Sequence, residues 1–155
     1  MKHILCSLSC FLLLLTACKK TVQEEEVEIR FEIPTKTNEN QLVYAGEIPC
    51  ADCERIQMIL ILNIEGEING ENHYELTRTY KGKSENKTIE EGSYNVEKGL
   101  DLDCSAKIYV LNWDKNKNER QYFAEYNNNP HIIYLLNQEG QPIDSQLNYK
   151  LKLIE

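Results

Sequence analysis

The chain is poor in the residues that usually mark an enzyme or a nucleic-acid binder. Its 155 residues include one tryptophan, three histidines, two methionines, seven glycines and four prolines. There is no Gly-rich phosphate loop and no Gly-x-Ser-x-Gly elbow, so neither nucleotide cradling nor an α/β-hydrolase nucleophile is expected. Cationic residues are scarce: 17 lysines and arginines face 25 aspartates and glutamates, for a net charge of −8. An acidic chain without a basic stripe is not built for nucleic acid. His73 and His131, the histidines beyond the N-terminal segment, stand far apart and give no zinc-ligand spacing. They are expected on strands, at the surface or partly buried. Asp101, Asp103 and Asp114 read as solvated turn residues rather than paired acid–base carboxylates, and Trp113 reads as a packing residue. The expectation is a protein that is not an enzyme.

Long apolar runs are also missing. The most apolar stretch, Ile4 to Leu15, falls short of the roughly 20 residues a helix needs to cross a bilayer. Lys2 before it and the small residues Thr16-Ala17 after it make a signal peptide over 1–17. Leu15-Thr16-Ala17-Cys18 resembles the lipobox of bacterial lipoproteins. That resemblance implies attachment of a diacylglyceryl group to the Cys18 thiol, cleavage before Cys18 and a lipid anchor in the membrane; several chains on one residue hold stably where one binds marginally. Lys19, rather than an aspartate, follows the cysteine, which by resemblance to the enterobacterial sorting rule implies the outer membrane. Residues 18–39 are polar, with the acidic run Glu24-Glu25-Glu26, and read as a lipidated tether. Within it Val27, Ile29, Phe31 and Ile33 alternate with Glu28, Arg30 and Glu32, the pattern of a short accessory strand.

Beyond Asn40 the apolar period stays near two. Gln41 to Ile48, Ile56 to Asn63, Tyr74 to Tyr80, Thr88 to Val96, Ile108 to Trp113, Tyr122 to Tyr126, Ile132 to Asn137 and Leu147 to Leu153 alternate or run apolar between turn residues. About eight strands at short, even spacing predict an all-β fold over 40–155: an antiparallel meander closed into a barrel. Such a barrel holds either packed side chains or one small ligand. Nine tyrosines suit a partly polar interior.

Cys50 and Cys53 are the chemically informative pair. Behind an export signal a Cys-x-x-Cys spacing suits a disulfide that pins the turn between the first two strands. After the disulfide, the next reading is a Cu(I) site, since two adjacent thiolates suit that soft ion, and redox exchange is a third use. Cys104, Met58, His73 or His131 could add a further ligand. A thioredoxin-type oxidoreductase fits poorly, because its reactive thiol sits at a helix N-terminus and this pair falls between strands.

Tyr44-Ala45-Gly46-Glu47-Ile48-Pro49-Cys50-Ala51-Asp52-Cys53, with Tyr74-Glu75-Leu76, Glu91-Gly92-Ser93-Tyr94 and the closing Leu135 to Ile143 and Leu147 to Leu151, resembles the N-terminal domain of the NlpE family. That resemblance implies a lipocalin-like antiparallel barrel with the cysteine pair near one rim. It also implies a role in copper tolerance and envelope stress, with an envelope-stress sensor protein as partner. Longer relatives carry a second C-terminal domain, and signalling housed there is not carried over to a chain that stops after the barrel. Two other readings stand beside this one. A lipocalin-like carrier of a small apolar molecule lacks the Gly-x-Trp signature, since Trp113 follows Asn112; a structural lipoprotein would hold no ligand.

Cys18→Ser is expected to release the protein from the membrane fraction or block its processing. Fractionation of cells expressing the variant checks this, and unchanged membrane association would refute the anchor.

Overall fold

The computed structural model of the chain describes residues 40–64, 72–82 and 86–154. The expected signal and tether, with Cys18 and the alternation from Val27 to Ile33, lie outside the described residues. Eight strands follow one another: β1 (Gln41–Ile48), β2 (Arg55–Asn63), β3 (Asn72–Lys81), β4 (Asn86–Leu100), β5 (Asp103–Leu111), β6 (Gln121–Glu125), β7 (Ile132–Leu135) and β8 (Lys150–Leu153). Each pairs antiparallel with the next, and β8 pairs with β1 to close the barrel. A 3-10 turn at Lys117–Glu119 is the one helical element among the described residues.

The seam is narrow, with Tyr44 opposite Leu153 and Ala45 opposite Lys152. Gly46 makes it possible. A Cβ there would run into the backbone carbonyl of Lys150 and lie 2.8 Å from Leu151 Cδ2, so only a residue without a side chain lets β8 approach this closely.

The strands depart most from the periodicity in three places. β4 and β5 run on to a hairpin tip at Leu100 and Asp103, with a bulge between Lys98 and Leu100 and left-handed backbone at Gly99 (φ 90°) and Asp101 (φ 50°). This extension carries the exposed Glu97 and Lys98, so no apolar alternation announces it. β8 begins at Lys150 rather than Leu147; Leu147 is exposed in a turn, where Asn148 Oδ1 accepts from the Lys150 N–H. β5 ends at Leu111, because Asn112 takes φ 54° and turns the chain. Trp113 therefore leaves the barrel and is 42% exposed, not the barrel packing residue its type suggested.

The interior is filled by side chains from every strand, among them Tyr44, Met58, Leu60, Leu62, Tyr74, Leu76, Tyr94, Tyr109, Leu111, Phe123, Ile133 and Leu151. Two carboxylates sit among them. Glu125, 6% exposed, accepts from Tyr109 Oη at 2.8 Å, Tyr44 Oη at 3.3 Å and Lys107 Nζ at 2.7 Å. Glu90 accepts from Tyr74 Oη at 2.9 Å, Arg78 at 3.0 Å, Asn112 Nδ2 at 2.8 Å and Gln121 Nε2 at 3.2 Å. Arg78 also donates to Gln121 Oε1 at 2.6 Å. These bonds run across the lumen, from β1 to β6 and from β3 to β6, so they plug the barrel as well as satisfy the charges.

Two apolar clusters lie on the outside. Ala106, Ile108, Val110, Tyr122 and Ala124 on the outer face of β5 and β6 are covered by Leu136, from the β7–β8 connection, and by Leu100. Val43, Ala45, Ile59 and Ile61 form the second, on the outer face of β1 and β2.

Burial alone would push the Glu125 carboxyl up; the Lys107 ammonium and the Tyr109 and Tyr44 hydroxyls outweigh it, and its pKa lies below the usual glutamate value. A depressed carboxyl stabilises the fold above its unfolded pKa of about 4.3, and that contribution disappears as pH falls through the folded value. Tyr109→Phe removes one donor to this carboxylate. It is expected to cost about 2 kcal/mol near neutral pH and to move acid unfolding to higher pH, both measurable by denaturant titration across pH. Gly46→Ala should also cost about 2 kcal/mol through the clash at the seam, read as a lower urea midpoint.

Candidate functional site

The β1–β2 connection, 49–54, forms one rim of the barrel. Ile48 ends β1 facing Ile56 across the ladder, and Pro49 then fixes φ and withholds a ladder donor, so pairing stops there. The chain turns through Cys50-Ala51-Asp52-Cys53 and returns as β2. In the structure Cys50 and Cys53 are joined as a disulfide, with Cα atoms 5.3 Å apart. Ala51 and Asp52 between them are exposed.

Neighbouring bonds hold this turn from both sides. The Glu54 N–H donates to Lys81 O at 3.0 Å, and Asn148 Nδ2, from the long β7–β8 connection, donates to Glu47 O at 3.0 Å. Glu47 Oε1 accepts from Arg55 Nε at 2.8 Å and Gln57 Nε2 at 3.1 Å. Arg55 also reaches Glu54 at 3.4 Å. Such exposed pairs add little stability, but they set local charge: Glu47, Asp52 and Glu54 stand against Arg55 and Lys81, which face each other across the β2–β3 ladder. The rim keeps a slight excess of negative charge.

Asp52 adds a third donor. A carboxylate oxygen of Asp52 and the sulfurs of Cys50 and Cys53 lie within 4.8 Å of one another. Cys50 Sγ is 3.6 Å from Asp52 Oδ1 and Cys53 Sγ is 3.5 Å from Arg55 O, so each thiol of the reduced pair would have an acceptor. Chemically the turn offers a reducible bond and, once reduced, two soft sulfur ligands with an anion between them.

The other sequence candidates are not brought to this rim. Met58 points into the core at 2% exposure. His73 pairs with Asn63 at the far end of β2, eight residues from Arg55 and so roughly 26 Å along the strand. His131 precedes β7, where its carbonyl accepts from Leu153. Cys104 is a free, exposed thiol beside the β4–β5 tip. Asp103 bonds the N–H groups of Ser105 and Ala106 as a turn residue, and Asp114 accepts from Ser93 Oγ. Sequence reading did not single out Asp52, although it stands inside the Cys-Ala-Asp-Cys run. Glu90 and Glu125 were missed too. The available signal was parity, since Glu125 shares its strand face with Phe123.

The chain resembles known proteins in two ways. The model of the NlpE N-terminal domain matches residues 44–146, a span that holds the cysteine turn, most of β1 and the whole of β2 to β7. A solved structure from Shewanella oneidensis, described as a “putative lipoprotein”, is similar at 27% identity and a TM-score of 0.51, covering 72% of this chain and 86% of that one. No curated protein matches the chain. With the rim turn, the meander order and the match over most of the barrel in agreement, the chain belongs to the NlpE N-terminal domain family.

Proposed function

We propose that this protein is an envelope lipoprotein of NlpE type, held on the bacterial outer membrane by acyl chains on Cys18, that serves copper tolerance and envelope-stress sensing through the Cys50–Cys53 rim. The observation that carries the reading is the reducible pair with Asp52 on an acidic rim, inside the segment matched by the family model. The role is one of contact and ligand capture, not catalysis. At rest the pair is a disulfide. A dithiol reductant would open it by thiol–disulfide exchange, becoming a disulfide itself and leaving Cys50 and Cys53 as thiols; their sulfurs would then hold Cu(I), with release of the thiol protons. The soft sulfurs select Cu(I), and Asp52 contributes charge more than a bond, because oxygen is a hard donor. The rim would then present a changed surface to an envelope-stress sensor protein.

The carrier reading finds less support. Tyrosines and leucines fill the lumen, and the bonds of Glu90 and Glu125 cross it, which leaves little room for a small apolar guest on the barrel axis.

After reduction, the protein is expected to take up one Cu(I) in competition with a chromophoric Cu(I) chelator, with affinity falling as pH drops and the thiolates are protonated. Cys50→Ser/Cys53→Ser should abolish that uptake while the β-type circular dichroism persists, and Asp52→Asn should weaken it only several-fold. Undiminished Cu(I) affinity in the double variant would remove the rim from the reading. Cells lacking the protein should show greater copper sensitivity and altered envelope-stress reporter output.

A further inference from the structure

The outer face of β1–β3 is buried without a cover among the described residues. Tyr44, Met58, Leu60, Leu62, Tyr74 and Leu76 face the lumen, so the alternating Val43, Ala45, Ile59, Ile61 and Thr77 face outward. On a solvated face they would be wet. Instead Val43 is 0% exposed and the other four are at most 9%. The outer cluster on β5 and β6 includes its cover, Leu136 and Leu100; among the described residues this one contains only β1 and β2 residues, with no further apolar residue packed on it. The dry strip is also sharply bounded. Ile89 on β4, opposite Thr77, is 57% exposed, and Lys152 on β8, opposite Ala45, is exposed. Three adjacent strands at about 4.8 Å spacing make a strip roughly 10 Å wide, suited to one extended segment lying across it.

We infer that residues 27–33 of this chain pack on that face. Val27, Ile29, Phe31 and Ile33 fall on one side of an extended segment, while Glu28, Arg30 and Glu32 fall on the other, so docking buries the apolar side and leaves the charges in water. Pro34 ends the run. The six residues 34–39 that follow can span roughly 20 Å, enough to bring the segment from Asn40 back over Val43, about 10 Å into β1. The other interior stretches outside the described residues, 65–71 and 83–85, read Glu-Gly-Glu-Ile-Asn-Gly-Glu and Lys-Ser-Glu, and their only apolar side chain is Ile68. The segment thus works as an outer clasp on the β1–β3 face, whether or not Cys18 carries lipid, and shortens the free tether to 18–26.

The test uses the full chain in detergent with Cys104→Ser, so that an introduced thiol is the one free thiol of the oxidised barrel. Val43→Cys should resist alkylation. Adding Ile29→Asp/Phe31→Asp should speed its alkylation by at least about tenfold through opening of the clasp, while Glu28→Gln/Glu32→Gln should leave it blocked. Fast alkylation of Val43→Cys without the two aspartates would overturn the inference, as would equally slow alkylation once Ile29→Asp/Phe31→Asp is added. Protection that disappears on dilution would also overturn it, by assigning the cover to a second copy. A cross-link gives an independent reading if the aspartates unfold the barrel: Phe31→Cys should form a disulfide with Ile61→Cys within one chain, and Glu32→Cys should not. Equal cross-linking from both positions, or from neither, refutes the clasp.

Discussion

The organising constraint of this barrel is the ionised carboxylate of Glu125 inside its lumen. A buried charge is tolerated only when it is paired and hydrogen-bonded, and Glu125 meets that condition by drawing Lys107 and Tyr109 from β5 and Tyr44 from β1. The same requirement, met at Glu90 by β3, the end of β5 and β6, gives the interior a second cross-lumen tie. The tyrosines serve both roles. Their rings pack against one another, Tyr44 and Tyr94 each against Tyr109 at 6.5 and 6.2 Å between centroids, while their hydroxyls supply donors. Burial and the nearby carboxylates hold these phenols protonated, with Tyr94 pushed up to about 12 by burial alone.

A lumen occupied in this way moves chemistry to the periphery. Among the described residues, the turn between β1 and β2 is where two sulfurs and a carboxylate come together, and the long β7–β8 connection reaches over to steady it through Asn148. Cys104 and both described histidines belong to other parts of the barrel. Among the described Cys, His, Asp and Glu residues, Asp52 is the one grouped with both sulfurs.

Much of the fold was legible in the sequence, because alternation is a direct consequence of one wet and one dry face. β1 appears in the periodicity with the bounds it has in the structure, and the cysteine turn falls between the first two strands as its spacing implied. Periodicity failed where the physical cause lay elsewhere. The β4–β5 tip pairs through backbone bonds where the exposed Glu97 and Lys98 break the apolar alternation. Trp113 is displaced by a left-handed Asn112 that no apolar pattern encodes. Glu125 looks like a solvent residue in a linear reading; only barrel closure gathers three donors around it. Asp52 likewise became a candidate donor only once the turn showed its carboxylate beside both sulfurs.

The Cys50–Cys53 ring encloses a sequence separation of only three residues. Loop-closure entropy grows with the length enclosed, so so small a ring constrains the unfolded chain by only about 2 kcal/mol in the chain-entropy model, less than a long-range cross-link would. The barrel's stability rests on its plugged lumen instead. Opening the ring therefore costs a minor part of a folding free energy of roughly 5–15 kcal/mol, and the rim can change its chemical state while the scaffold beneath it keeps its shape. Such a protein cannot announce the change by unfolding. Whatever reads the state of the two sulfurs must touch the turn itself.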